Sequence, residues 1–203
     1  TRKGAGYVLT GYLPSLPIAP DAQCLLLPAV LEGEPALFLV GHDAPGLSIV
    51  PHSLADGSRD GAVHLTAVAC PVSARLAQGP ALLASQQRAL ALAGIVASAY
   101  LTGLSEALLT LTLDYLRTRQ QFGRALDSFQ ALQHRVVDLY LRLRLSTAAL
   151  AAAVNAADNL PPAALALASA QAQHRAAATT TAMVREAIQL HGAIAYTEPC
   201  DVS

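Results

Sequence analysis

The feature that most constrains this chain is where its helix breakers stop. Nine of the twelve prolines lie at or before Pro80, and nine of the thirteen glycines at or before Gly79. Beyond that point come Ala/Leu-rich stretches with few residues that cost a helix anything, so long helices are the economical structure there. The part before it is interrupted too often to hold a long helix. Its short apolar runs are Tyr7–Leu9, Gln23–Ala29, Ala36–Val40, Leu47–Val50 and Ala62–Ala69. Turn chemistry separates them at Thr10-Gly11, Glu32-Gly33-Glu34-Pro35, Asp43-Ala44-Pro45-Gly46 and Asp56-Gly57-Ser58. That punctuation predicts antiparallel strands, with Val63, Leu65, Ala67 and Ala69 on one apolar face of the last. The fold class is therefore α+β: a small antiparallel β domain over residues 1–78, then a helical bundle over 79–203.

Within the bundle, Leu101, Leu104, Leu108, Leu111 and Tyr115 follow the three-four spacing of one helix face, and Phe129, Leu132, Val136, Leu139 and Leu143 repeat it. Asp127 with Gln130 three residues on resembles a capping box opening the second helix. Asn159 before Pro161-Pro162 opens a third, which runs to about Leu190 and stops at Gly192. Helices of about 30 residues are roughly 45 Å long, and joined by short loops they pack antiparallel. Thr197-Glu198-Pro199 then looks like the start of another helix. A four-helix type of bundle, incomplete at both ends of the chain, follows from this. The polypeptide is expected to continue beyond both.

Several functions are excluded early. Thirteen basic against fourteen acidic residues, a net charge of −1, leave no basic footprint for nucleic acid. The uncharged run Ala89–Ser105 carries Ser98, Tyr100, Thr102 and two glycines and falls short of about 20 mostly apolar residues; it predicts a buried bundle helix and no membrane span. Three dispersed cysteines form neither a disulfide framework nor a zinc set, and a reducing cytoplasm is the default. The six histidines show no metal-ligand spacing. Gly4-Ala5-Gly6 opens a strand instead of following one, so it is no dinucleotide loop, and Ser58 is misplaced for a nucleophile elbow.

Arginine placement is the sharpest positive clue. Six of the twelve fall between Arg117 and Arg144. Arg135, Arg142 and Arg144 read as a solvated face, with Asp138 pairing Arg142 four residues on. Arg117, Arg119 and Arg124 crowd a connector with Gln120, Gln121, Phe122 and Gly123. Guanidinium, amide and aromatic groups at a helix junction suit a phosphate-bearing ligand, although spacing alone leaves a surface role open. His191, beside Gly192, either caps helix carbonyls or approaches a ligand.

Taken together these residues resemble the acyl-CoA dehydrogenase family. Arg119-Gln120-Gln121-Phe122-Gly123 with Phe129-Gln130-Ala131-Leu132-Gln133-His134 is similar to the family's R-x-x-F-G…Q-x…Q segment. Gln189-Leu190-His191-Gly192-Ala193-Ile194-Ala195-Tyr196 is similar to its Q-x-x-G-G-x-G-[YF] segment. Tyr7-Val8-Leu9-Thr10-Gly11 is similar to the Y-x-L-N-G hairpin of its middle β domain, and the order matches along the whole chain. The resemblance implies FAD, an acyl-CoA thioester as substrate, and α,β-desaturation. It also implies a homo- or hetero-oligomer, dimer or tetramer, in which bundle segments contact FAD across a subunit interface. By position, Arg119 and Gln121 would meet the pyrophosphate and ribose, Phe122, Phe129 and Gln130 the adenosine end, and Gln189, His191 and Gly192 the same cofactor from the next helix.

The sequence also departs from the family. Ser15-Leu16-Pro17 stands where a Trp-x-Ser/Thr lies beside the flavin ring, and Ala193 replaces the second glycine. Some members carry the catalytic glutamate early on the first bundle helix, before an arginine; the pair here is Gln87-Arg88, and an amide cannot take a proton. No residue present is named as the base. Three readings stay open: part of a dehydrogenase subunit, a catalytically silent FAD-contacting subunit of a hetero-oligomer, or a helical interaction module without a cofactor.

Overall fold

The computed structural model describes residues 1–3, 6–197, 200 and 202. Gly4-Ala5 of the Gly-Ala-Gly stretch and Glu198-Pro199 of the expected further helix lie outside them. The chain divides into two compact units, Thr1–Gln86 and Gln87–Ser203. The division falls two turns into the first long helix instead of at residue 79. Backbone bonding shows why that junction belongs with the strands: Gly79, at φ 76°, donates its N–H to the Pro35 carbonyl at 2.8 Å.

The first unit is two antiparallel sheets. One has the order β1 (Arg2–Lys3), β2 (Gly6–Pro17), β6 (Arg59–Pro71), β5 (Leu47–Ser53); the other runs β3 (Cys24–Leu31), β4 (Glu34–Gly41), β7 (Arg75–Gln78). The five predicted strands are β2 to β6. Leu25, Leu27 and Leu31 alternate inward on β3 and meet Ala36, Phe38 and Val40 from β4 in one core with Leu9, Val63 and Val68.

Two local expectations change. Thr10-Gly11 is no turn: β2 runs straight through it, with a register shift between Leu9 and Gly11. The partner strand holds the extra residue, since Leu9 faces Val68 and Gly11 faces Leu65. Ala67 sits at φ 51° in this bulge, and its N–H is taken by the Thr10 hydroxyl at 3.3 Å. One inserted residue exchanges the two faces of a strand. Val63 and Leu65 therefore point inward as expected, but beyond the bulge Val68 and Cys70 are buried and Ala67 and Ala69 exposed.

The second unit is helical: α1 (Pro80–Thr118), α2 (Gln130–Asn159) and α3 (Pro162–His191). Arg88 bonds the Ala157 carbonyl while Thr102 bonds Ser146, so α1 and α2 are antiparallel. Ser169 bonds Ala91 and Thr180 bonds Ser105, so α1 and α3 run the same way. Pro162 begins α3, and Gly192 ends it by donating its N–H to the Ile188 carbonyl. The capping box does not form. Phe129 is the N-cap of α2 with no side-chain bond, and the Asp127 carbonyl instead accepts from the Gln133 amide at 2.8 Å.

The buried face of α1 overlaps the leucine stripe only in part. Leu108 is buried, and Leu101 and Tyr115 half-buried, but Leu104 and Leu111 remain 40% and 37% exposed, while Ser98, Thr102, Ser105, Leu109, Thr112 and Leu116 are buried. Hydroxyls tolerate that burial because each is bonded. Ser98, Ser105 and Thr112 donate to carbonyls four residues back at 2.7–2.9 Å, and Thr102 and Ser105 bridge to Ser146 and Thr180 at 2.9 Å. By length and composition α1 is the one helix among the described residues long and apolar enough to cross a membrane; here its hydroxyl-lined face packs on α2 and α3.

Candidate functional site

Thr118 ends α1 by donating its hydroxyl to the Asp114 and Tyr115 carbonyls, and the Arg119 N–H still reaches the Tyr115 carbonyl at 2.8 Å. The chain then folds into a hairpin, β8 (Gln120–Gln121) against β9 (Arg124–Ala125), pairing Gln120 with Ala125 and Gln121 with Arg124. This leaves Phe122 and Gly123 as a two-residue turn at φ 54° and 80°. Two positive φ values define the turn type that favours Asn-Gly. Gly123 suits it. Phe122 does not: a bulky residue there is strained, and its ring is 89% exposed. Neither local propensity nor burial accounts for an aromatic at this tip.

The surrounding cations sort themselves. Arg117 is paired with Asp114 at 3.2 Å. Arg124 lies over the Phe129 ring, 3.9 Å from its centroid, and Phe122 meets Phe129 edge-on at 6.2 Å. Arg119 is exposed and has neither ion pair nor side-chain hydrogen bond among the described residues. It lies just past the C-terminus of α1, where the helix dipole already favours a cation. Gln121 is exposed beside it, and Gln130 is exposed at the first turn of α2.

The parallel course of α1 and α3 brings the second segment to the same end of the bundle. His191 is 7% exposed and stacks on Tyr115 with ring centroids 4.4 Å apart. Its Nδ1 lies 2.8 Å from the Ala187 carbonyl, and the Tyr115 hydroxyl donates to the His191 carbonyl at 3.2 Å. His191 thus bonds a helix carbonyl and is packed against α1, with its ring turned inward. Gln189 and Gly192 are exposed, and Gly192 holds φ 68°, ψ −144°, open to glycine. A cleft of about 290 Å³ lies against Leu111, Tyr115, His191, Ile194 and Val202. Tyr115, in the sequence one member of an apolar stripe, is the residue that joins the two segments. Only its phenolic hydroxyl, a polar tip wanting a partner when half-buried, hinted at this.

Two further positions bear on chemistry. Gln87 is exposed and borders an apolar groove of about 560 Å³ with Leu90, Ala91, Pro162, Ala166 and Ser169; among the described residues no carboxylate lines it. In the β unit, Ser15 donates its hydroxyl to Asp60 in a short bond, and the other Asp60 oxygen accepts the Leu16 N–H at 2.8 Å. The Ser15 hydroxyl, with the backbone N–H groups of Gly61 and Leu16, holds the Asp60 carboxyl below the usual carboxylate range.

Comparison with known proteins identifies the family and the fold. The family model for the acyl-CoA dehydrogenase C-terminal domain matches residues 83–203. Among curated proteins, the acyl-CoA dehydrogenase IpdE2 of Mycobacterium tuberculosis is 42% identical over 105 residues, 52% of this chain and 31% of that protein. The acyl-CoA dehydrogenase FadE27 of the same organism is 34% identical over 151 residues, 72% of this chain and 39% of that one. A variant of the Tcur3481–Tcur3483 steroid ACAD superposes with TM-score 0.83 at 31% identity, covering 99% of this chain and 53% of that one. The ChsE4–ChsE5 complex of Mycobacterium tuberculosis superposes with TM-score 0.84 at 26% identity, covering 97% and 52%. The chain thus spans a third to about half of the length of the proteins it matches. On the match over residues 83–203, more than half of its length, the chain belongs to the acyl-CoA dehydrogenase family.

Proposed function

We propose that this chain forms the middle β unit and part of the helical bundle of a cytoplasmic acyl-CoA dehydrogenase subunit, and that the α1–α2 turn is its contact with FAD in a dimer or tetramer. The observation that carries this is the strained, exposed Phe122 beside the unpaired Arg119. The residues fit the cofactor's nucleotide half. A free guanidinium matches a pyrophosphate, exposed amides of Gln121, Gln130 and Gln189 match ribose and base edges, and Phe122 with Phe129 offers aromatic surface. When bound, FAD supplies the hydride acceptor for α,β-desaturation of an acyl-CoA thioester. The chain's own part is to bind and orient. Arg119 supplies charge, Phe122 apolar area, and Gly192 room for close approach, while His191 stacked on Tyr115 holds the α3 end against the α1 end.

A second reading is a silent subunit that lends these contacts to a partner carrying the base. The carboxylate-free groove at Gln87 favours it, as does a Ser15 hydroxyl already committed to Asp60. Two relatives are two-component complexes by name, and one is called a steroid ACAD, which makes a bulky polycyclic acyl-CoA the substrate to try beside straight chains. The test is to purify the full-length protein alone and with a related subunit, then measure flavin absorbance and acyl-CoA oxidation. Turnover by the protein alone supports the first reading, and turnover only with the partner supports the second. An assembly without flavin, or one whose FAD affinity ignores Arg119→Ala, overturns both.

A further inference from the structure

We propose that the groove between α2 and α3 at Arg142 and Arg185 binds a small oxyanion, a phosphate or a carboxylate. The groove has a volume of about 280 Å³ and is lined by Arg135, Asp138, Leu139, Arg142, Arg185 and Glu186, with Ala182 beside them. One water needs about 10–15 Å³ of such space, so the groove has ample room for an oxyanion.

The sequence reads these arginines as a solvated face with an Asp138–Arg142 pair. The structure pairs them differently. Arg135 reaches across the helices to Glu186, with Nε 2.7 Å and a terminal nitrogen 2.5 Å from the same carboxylate oxygen. No Asp138–Arg142 ion pair forms, and Arg142 and Arg185 have no hydrogen-bonding or ionic side-chain partner among the described residues. With Arg135 neutralised by Glu186, two guanidinium groups and one carboxylate remain, a net charge of +1. Two like charges converge from different helices on one concavity, and among the described residues lining it Asp138 is the only carboxylate not already paired.

The floor sharpens the effect. Leu139 is buried under the charges, so part of the surrounding medium is apolar and screens them less than open water does. Guanidinium forks present parallel N–H pairs that match two oxygens of a carboxylate or phosphate. Asp138 opposes an anion, which limits the site to one charge group instead of a polyanion. This site is separate from the α1–α2 turn and does not depend on the FAD reading.

Arg142 and Arg185 are exposed, so their removal leaves the core untouched. The test uses the full-length protein in its native assembly, titrated calorimetrically with inorganic phosphate and separately with acetate. The comparison is R142Q/R185Q against R144Q, an arginine outside the groove that controls for the loss of a surface charge. Wild type and R144Q should bind at least one of the two anions, and each guanidinium removed should weaken it about tenfold. Whichever anion wins names the source as phosphate-bearing or carboxylate-bearing. Equal binding by wild type and R142Q/R185Q, with unchanged thermal melts, or no binding of either anion to wild type, would overturn the proposal.

Discussion

Replacing Phe122 with Asn separates a binding aromatic from a badly chosen turn residue. Asn is well tolerated at the first position of a two-residue turn with positive φ, whereas Phe in the left-handed region costs about 1–2 kcal/mol. Phe122→Asn relieves that cost but removes the edge-on contact with Phe129 at 6.2 Å, worth about 0.5–1.5 kcal/mol. The two largely offset, so folding stability should change by between about −0.5 and +1.5 kcal/mol, a melting shift of no more than about 6 °C for a domain of this size. Binding should respond otherwise. The ring is 89% exposed, so nearly all of its apolar area is available to a ligand, and fully burying a Phe side chain is worth about 1.5–3 kcal/mol. FAD affinity of the assembled oligomer should therefore fall about 10- to 100-fold, read by flavin fluorescence titration beside a thermal melt. If FAD affinity is unchanged while the melt holds or rises, Phe122 contributes nothing to the cofactor and the main argument for the site is lost.

Arg119→Ala should weaken FAD binding by roughly one to two orders of magnitude, from loss of a charge-assisted contact of about 1.5–3 kcal/mol. Arg119→Lys should recover part of it, and Arg144→Ala should be neutral in the same titration. Gly94→Ala places a Cβ 2.6 Å from the Ser169 hydroxyl, which is fixed on the Ala91 carbonyl at 2.7 Å; chemical denaturation should show a loss of about 1–3 kcal/mol. Gly103→Ala, with nothing within 4 Å of its Cβ, should gain about 0.5–1 kcal/mol in the same assay. Because the Asp60 pKa is lowered in the folded protein, its stabilisation is complete above the unfolded carboxylate range, near about 3.9. It is lost as pH falls through the lower folded value. Ser15→Ala removes the largest cause, so acid unfolding followed by circular dichroism should begin at higher pH; an unchanged onset would show that Asp60 does not couple to folding.

What the sequence determined by itself is whatever a few neighbouring residues decide. Breaker placement separated strands from helices, Pro161-Pro162 and Gly192 set the limits of α3, and five apolar runs became five paired strands. The R-x-x-F-G stretch announced a connector of unusual chemistry, because it sets a phenylalanine among arginine and glutamine where a solvated turn would use polar residues. Rotation and register were set by packing between elements. The leucine spacing on α1 is a valid helix face, yet packing turned Leu104 and Leu111 outward and buried Ser98, Thr102, Ser105 and Thr112 beside Leu108, Leu109 and Leu116, since small bonded side chains let helices approach. The Ala67 bulge reversed half of β6, because one extra residue shifts a period of two. Asp138 and Arg142 do not pair despite their helical spacing, while Arg135 pairs with Glu186 across two helices, a contact that depends on how α2 and α3 pack. The Tyr115–His191 stack joins residues 76 apart in the chain. No local pattern encodes it; it exists because α1 and α3 run in the same direction and end together.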